Sequence, residues 1–213
     1  MDKRPTSNPA TDNISRWGES LAKYYVDGEL DYDKFYNEIN YVSPGIHFKS
    51  YYGDCLRLVD EGDSWLDAGC GTGSYIRDAI TDKGINLFGM DVVDRSVEAA
   101  IENGISCIKH SVSDPFPYED DTFDLVTSTD VLEHLCTHHV HDALSEIYRV
   151  IKPSKHAMLA PHTTPDRSGL IHLTVKPVEW WIEQCEKVGF SFIRKCGTGQ
   201  WFGKGLVLKK EAR

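Results

Sequence analysis

Trp65-Leu-Asp-Ala-Gly-Cys-Gly-Thr-Gly-Ser-Tyr75 reads as a short apolar strand running into a turn that holds Gly69, Gly71 and Gly73. The pattern behind the turn predicts a helix from about Ser74 to Asp82. Glycine has no Cβ, so such a turn can take unusual dihedrals and let a ligand touch backbone N–H groups. The helix N-terminus behind it adds oriented donors and a partial positive charge. Asp67, at the strand end, offers a carboxylate to a ligand ammonium or hydroxyl. An ordinary strand-to-helix turn uses the same residues, and Gly-x-Gly-x-Gly alone does not choose between the two.

The next unit narrows the choice. Asn86-Leu-Phe-Gly-Met-Asp91 reads as a second strand that ends in an acid about 20 residues after the glycines. From that position in a βαβ fold a carboxylate reaches ribose hydroxyls. The dinucleotide fingerprint Gly-x-Gly-x-x-Gly is not matched, which disfavours NAD and FAD as ligands.

From Ser64 onward strand and helix alternate. Strands are predicted near 64–68, 86–90, 105–109, 122–128 and 156–160, and helices near 74–82, 94–103, 139–151 and 177–188. Short apolar strands separated by helices imply a parallel sheet buried on both faces. Right-handed crossovers then make it a doubly wound α/β layer. Ligands of such sheets bind at the carboxyl ends of the strands. Asp67, Asp91, Ser111 and Thr129 all fall just past strand ends and are placed in one crevice. Phe190–Arg194 and Gly205–Lys209 read as two further strands.

The remainder of the chain divides into a polar, disordered tail over 1–13 and a helical lid or extension over 14–60, with the main domain over 61–213. Trp17, Leu21, Tyr24 and Tyr25 follow one helical face; Tyr52, Cys55, Leu56 and Val59 follow another. Trp17, Tyr24, Tyr25 and His47 are candidates for a lid, though helix core uses the same aromatic residues.

The chain has 213 residues and a net charge of −10. An acidic chain is poorly suited to nucleic acid, because phosphate neutralisation needs clustered Lys and Arg. No run of 18 apolar residues predicts a membrane span, and the N-terminus has no apolar signal-peptide core. Six scattered cysteines without Cys-x-x-Cys argue against structural zinc and suggest a reducing, cytoplasmic setting.

The run Leu66-Asp-Ala-Gly-Cys-Gly-Thr-Gly73 resembles motif I of the class I S-adenosylmethionine-dependent methyltransferases. Gly89-Met-Asp91 resembles their ribose-binding acid. Asp114-Pro-Phe-Pro-Tyr-Glu-Asp-Asp-Thr-Phe-Asp-Leu-Val126 is similar to their "LPF…FDLV" segment, Val131-Leu-Glu-His-Leu135 to the residues that follow, and Arg149-Val-Ile-Lys-Pro153 to the segment before strand five. The matches run in family order from about Trp65 to Leu159. The resemblance implies the Rossmann-like methyltransferase fold: a mostly parallel, seven-stranded sheet closed by an antiparallel hairpin, here with an N-terminal helical extension. It also implies S-adenosylmethionine as cofactor, held by Asp67, Gly69, Gly71, Gly73, Asp91, Val92, Ser111, Val112 and Thr129. The family commonly has an acid for the adenine amino group where this chain has Ser111. The hydroxyl of Ser111 or the Val112 backbone then takes that contact, with Ser113 or Asp114 as alternatives.

Asp130, Glu133 and His134 share one face if a helical turn forms there. As family scaffold they need no metal, which is the favoured reading. A cluster of carboxylates and imidazole also suits a divalent cation. The small-RNA 2′-O-methyltransferases have a comparable acid-x-x-Glu-His run plus a distant His, a place His162 or His172 would fill. His is the side chain matched to proton removal at neutral pH, so His172 and His134 are the candidate general bases. Trp180 lies off the apolar stripe of its helix, and His138, His139 and His141 read as a surface cluster.

The sequence thus points to O-methylation of a sugar, a glycan or another small hydroxylated metabolite. Residues 172–181 resemble bacterial methyltransferases linked to surface polysaccharides. The rivals are metal-dependent RNA 2′-O-methylation, a non-catalytic cofactor-binding partner subunit, and an NAD oxidoreductase. No membrane contact is expected, and the sequence sets no oligomeric state.

Overall fold

The computed structural model describes residues 23–26, 29–38, 49–164, 171–197 and 205–212. Trp17, Leu21, His47 and the 1–13 tail lie outside the described residues. The seven strands β3 (Ser64–Ala68), β4 (Asn86–Asp91), β5 (Ser106–Lys109), β6 (Phe123–Thr129), β7 (Ile151–Ala160), β8 (Phe190–Cys196) and β9 (Gly205–Lys210) form one sheet. Its order is β5-β4-β3-β6-β7-β9-β8. The first five are parallel, and β9 runs antiparallel to both β7 and β8. This is the doubly wound sheet that the alternating sequence predicts.

Strand alternation divides the core. Trp65 and Leu125 point to one face, with Tyr51, Cys55 and Ile76. Leu66 and Val126 point to the other, against Leu144, Ile147 and Trp181. These last belong to helices α5 (Thr137–Val150) and α6 (Val178–Lys187), which follow α4 (Asp94–Glu102) in the chain. Every residue of β6 is buried, so its polar side chains need partners. Asp124 takes the Lys152 and Lys155 ammoniums, and Ser128 Oγ donates to Ala68 O at 2.9 Å.

The chain reverses direction across the sheet between β3 and β6. The strands on either side of this switch point open a crevice at their carboxyl ends, where such sheets bind ligands. The turn after β3 is held under that crevice, because Gly69 N–H and Cys70 N–H both donate to Met90 O, at 2.8 and 3.1 Å.

The structure departs from the sequence reading at two helices. The segment after the glycines stays in turns until helix α3, Ala79–Lys83. The first N-terminal stripe is not helical where it is described: Tyr25–Val26 and Glu29–Leu30 pair as a two-stranded ribbon, β1–β2. Tyr24 and Tyr25 therefore leave the proposed helix face, and Tyr24 packs its ring edge-on to Phe35 at 5.1 Å. Helix α1 (Tyr32–Glu38) begins just after, with Asp31 Oδ1 accepting Lys34 N–H at 3.0 Å as an N-cap. Helix α2 is Lys49–Leu56, and Tyr51 and Cys55 carry its buried face.

Candidate active site

The crevice is a cavity of about 340 Å³, within the range of small-molecule sites. Its glycine wall is Gly69 and Gly71, at φ +83° and +54°. A Cβ on Gly69 would sit 2.3 Å from Val131 Cγ2, so this turn closes only with glycine. Asp91 stands at the neighbouring strand end. Its carboxylate accepts Gly71 N–H and Val93 N–H, each at 2.9 Å, and burial pushes its pKa up. Val92, Ser111 and Val112 continue the wall. Ser111 Oγ lies 2.8 Å from Ser113 Oγ and accepts Ser113 N–H at 3.2 Å.

Two positions expected at the ligand lie off this cavity. Gly73, at φ +65°, faces Ile105: an added Cβ would fall 1.9 Å from Ile105 Cδ1. It is a packing glycine, where the sequence reading made it part of the cradle. Asp67 is fully buried beneath the turn. Trp65 Nε1–H donates to Thr127 Oγ1 at 2.8 Å, and Thr127 and Tyr75 donate to Asp67 Oδ1 at 2.5 and 3.1 Å. Burial pushes the Asp67 carboxyl up to about 7. Its Oδ2 has no hydrogen-bond partner among the described residues, so one buried acceptor remains under the turn.

The other side of the cavity is built by the segment after β6. Thr129 and Asp130 leave the strand, and Asp130 takes φ +57°, which Asp tolerates better than most residues. Leu132–His134 make one 3-10 turn. The long loop after β7 is tied to it: Thr174 N–H donates to Glu133 O at 2.8 Å, and Thr174 Oγ1 to Leu135 O at 2.7 Å. His134 Nδ1 lies 3.1 Å from Ile171 O. These ties bring His172 beside His134, with ring centroids 4.9 Å apart. The His162 ring is tilted against His172, with centroids 4.8 Å apart, and its Nδ1 is engaged by Thr164.

Asp130, Glu133, His134 and His172 each place one ligand atom so that all four atoms lie within 4.8 Å of one another. His162, one of the two imidazoles considered for this cluster, is outside it. Glu133 is fully buried; desolvation and the neighbouring Asp130 push its carboxyl far up.

Helix α1 closes the cavity with Tyr32, Phe35 and Tyr36. The Tyr32 hydroxyl donates to Ile171 O, and its ring stands edge-on to His134 at 5.2 Å. The sequence reading placed aromatic lid residues in this region but singled out others: Tyr24 and Tyr25 do not line the cavity. His110, Ser96 and Tyr75 do, and had not been singled out; residue type gave no signal for them. Trp180 packs edge-on against Trp181 at 5.0 Å and is not part of the wall.

A family model described as "Methyltransferase domain" matches residues 66–159, which span the glycine turn, Asp91 and the segment after β6. Residues 66–159 are a methyltransferase domain of the S-adenosylmethionine-dependent class. The chain is 27% identical over 158 residues to phosphoethanolamine N-methyltransferase 2 of Caenorhabditis elegans, covering 68% of this chain and 35% of that protein. It is also 27% identical over 168 residues to the 2-methyl-6-phytyl-1,4-hydroquinone methyltransferase of Synechocystis, covering 76% and 51%. The chain thus spans about a third and about half of these relatives. A TehB-like SAM-dependent methyltransferase from Corynebacterium glutamicum shares the fold, with a TM-score of 0.60 and 19% identity over 96% of this chain and all of that one.

S-adenosylmethionine is the cofactor. The residues present fit it: two glycines, Gly69 and Gly71, form one wall of the cavity, and the Asp91 carboxylate stands at the neighbouring strand end. No helix among the described residues is long and apolar enough to cross a membrane.

Proposed function

We propose that the methyltransferase transfers the methyl group to a hydroxyl of a small acceptor, a sugar, glycan unit or similar hydroxylated metabolite. The observation that carries this reading is the pair of imidazoles, His134 and His172, placed with Asp130 on the wall of the cofactor cavity. When bound, the cofactor supplies an activated methyl on a sulfonium. What the protein must add is alignment of the acceptor and help with its proton. Tyr32, Phe35 and Tyr36 supply an enclosing apolar wall that orients the acceptor and excludes water. Gly69, Gly71, Asp91, Val92, Ser111, Val112 and Thr129 hold the cofactor side, and the His134–His172–Asp130 group serves the acceptor proton. Within the 14–60 lid or extension, helix α1 covers the cavity, and residues 61–213 act as the transfer domain.

One feature favours a second reading. Three aromatic rings that share the cavity with the Asp130 carboxylate also suit an amine, whose ammonium form binds ring faces and carboxylates. The relative named for phosphoethanolamine N-methylation agrees with that chemistry. A net charge of −10 opposes the RNA alternative.

The test is transfer of a labelled methyl group from S-adenosylmethionine to matched acceptor panels, hydroxylated and amino, with product analysis by mass spectrometry. An O-methyl product that declines at least tenfold in His172→Ala is expected. Exclusive N-methylation, undiminished in that variant, would overturn the hydroxyl reading.

A further inference from the structure

Glu133 stands out among the described residues. It is fully buried, and neither carboxylate oxygen has a hydrogen-bond partner among the described residues. Asp130 and the backbone at Glu133 and His162 approach it, but without hydrogen-bond geometry. Oδ1 of Asp130 is likewise buried and unpartnered among those residues. Two carboxylates therefore lie side by side with no Lys or Arg ion pair among the described residues to compensate them. A buried, unpaired carboxylate is costly, and a proton or a bound cation relieves that cost.

What surrounds the pair is suited to do that. His134 and His172 each bring a ring nitrogen into the same group of atoms, all within 4.8 Å of one another. His134 Nδ1 lies 3.1 Å from Ile171 O, a contact that holds the ring in place. A ligating imidazole is commonly fixed in this way by a hydrogen bond from its other nitrogen. We propose that Asp130, Glu133, His134 and His172 bind one divalent first-row transition-metal ion on the wall of the cofactor cavity.

The donor set selects the class of ion. Two carboxylates cancel a charge of 2+, and two imidazole nitrogens favour Mn²⁺, Fe²⁺ or Zn²⁺ over Mg²⁺ or Ca²⁺, which prefer oxygen alone. No thiol belongs to the set, so a soft ion gains nothing there. Three of the four residues, Asp130, His134 and His172, line the cavity, whereas Glu133 lies behind them. The ion is thus reachable from the acceptor side. It deepens the hydroxyl reading, and rests on that reading for its role only: a cation beside the acceptor would acidify a bound hydroxyl, with the two imidazoles serving as ligands. Binding itself needs no acceptor.

The test is a Mn²⁺ titration of the chelator-stripped full chain, following free Mn²⁺ by electron paramagnetic resonance, with Zn²⁺ calorimetry in parallel. One ion per chain is expected. Glu133→Gln and His172→Ala should each weaken it at least tenfold, while His162→Ala changes it less than threefold. Saturating Mn²⁺ should raise the melting temperature of the wild type and not of Glu133→Gln. Circular dichroism and S-adenosylhomocysteine calorimetry on the same samples establish that each variant is folded. No saturable binding by folded, cofactor-competent protein overturns the proposal, as does binding that both variants leave unchanged. Metal binding without hydroxyl methylation would instead sink only the acceptor reading.

Discussion

Replacing Gly73 by alanine tests the claim that this glycine is demanded by packing. The added Cβ would lie 1.9 Å from Ile105 Cδ1 and 3.3 Å from Ile105 Cγ1, at a residue with φ +65°. Two penalties are separable. The left-handed backbone costs an L-residue roughly 1–2 kcal/mol. Overpacking a closed core costs about 1–3 kcal/mol. Gly73→Ala should therefore destabilise the chain by about 2–5 kcal/mol. Ile105→Val removes Cδ1, the atom in the clash, and alone costs about 0.5–1.5 kcal/mol. In the Val background Gly73→Ala should cost only the backbone share, about 1–2 kcal/mol. Urea unfolding of the wild type, both single variants and the double variant gives the coupling directly. Additive effects, with the Val background leaving the cost of Gly73→Ala unchanged, would refute the steric account. A Gly73→Ala protein as stable as wild type would refute both parts.

Asp91→Asn should weaken S-adenosylhomocysteine binding about 10–100-fold by calorimetry, the loss of hydrogen bonds to a charged acceptor, with the fold retained. Asp67 carries a pH signature. Its folded pKa, pushed up to about 7, exceeds the unfolded value of about 3.9, so the unfolded chain gives up its proton first. Stability then falls as pH rises between those values. Relative to Asp67→Asn, which does not titrate there, the wild type should lose on the order of 4 kcal/mol between pH 4 and pH 8, and a difference in urea stability that is flat with pH would contradict this. Lys210→Met should destabilise the chain by about 2–4 kcal/mol, read from thermal or urea unfolding. The buried ammonium donates to Asp121 Oδ1 at 2.6 Å and Ile151 O at 2.7 Å, and Asp121 would be left partly exposed without it.

The sheet was legible because burial on both faces leaves a simple trace: short apolar strands such as Leu66 and Leu125, spaced by helices. The glycine turn and the acid at the next strand end were legible because a positive φ restricts residue type at Gly69 and because Asp91 closes an apolar strand. The same signal could not separate Gly69 from Gly73. Both have positive φ and both would clash if given a Cβ, Gly69 with Val131 and Gly73 with Ile105; what separates them is that Gly69 lines the cavity and Gly73 does not. The turns before Ala79 were misread as helix, since Ser74 to Asp78 carry no breaker. Tyr24 and Tyr25 fit a helical stripe, but tertiary packing placed them at a ribbon and left Tyr32, Phe35 and Tyr36 to close the cavity. The proximity of His172 to His134 depends on Thr174 and Ile171 meeting the 132–135 turn, a contact across some 37 residues that no local pattern encodes.

The seat of β9 bears on how the chain reaches its native state. This strand follows all the others in sequence, yet it lies between β7 and β8. Until residues 206–209 arrive, the backbone of 156–159 has no neighbour on that side. During synthesis the five parallel strands can assemble with an open hydrogen-bonding edge, a surface that invites pairing with another chain. Such late, long-range closure predicts slow maturation and a dependence on chain concentration during refolding. Aggregation of nascent or refolding protein should then begin at the outer edge of β7.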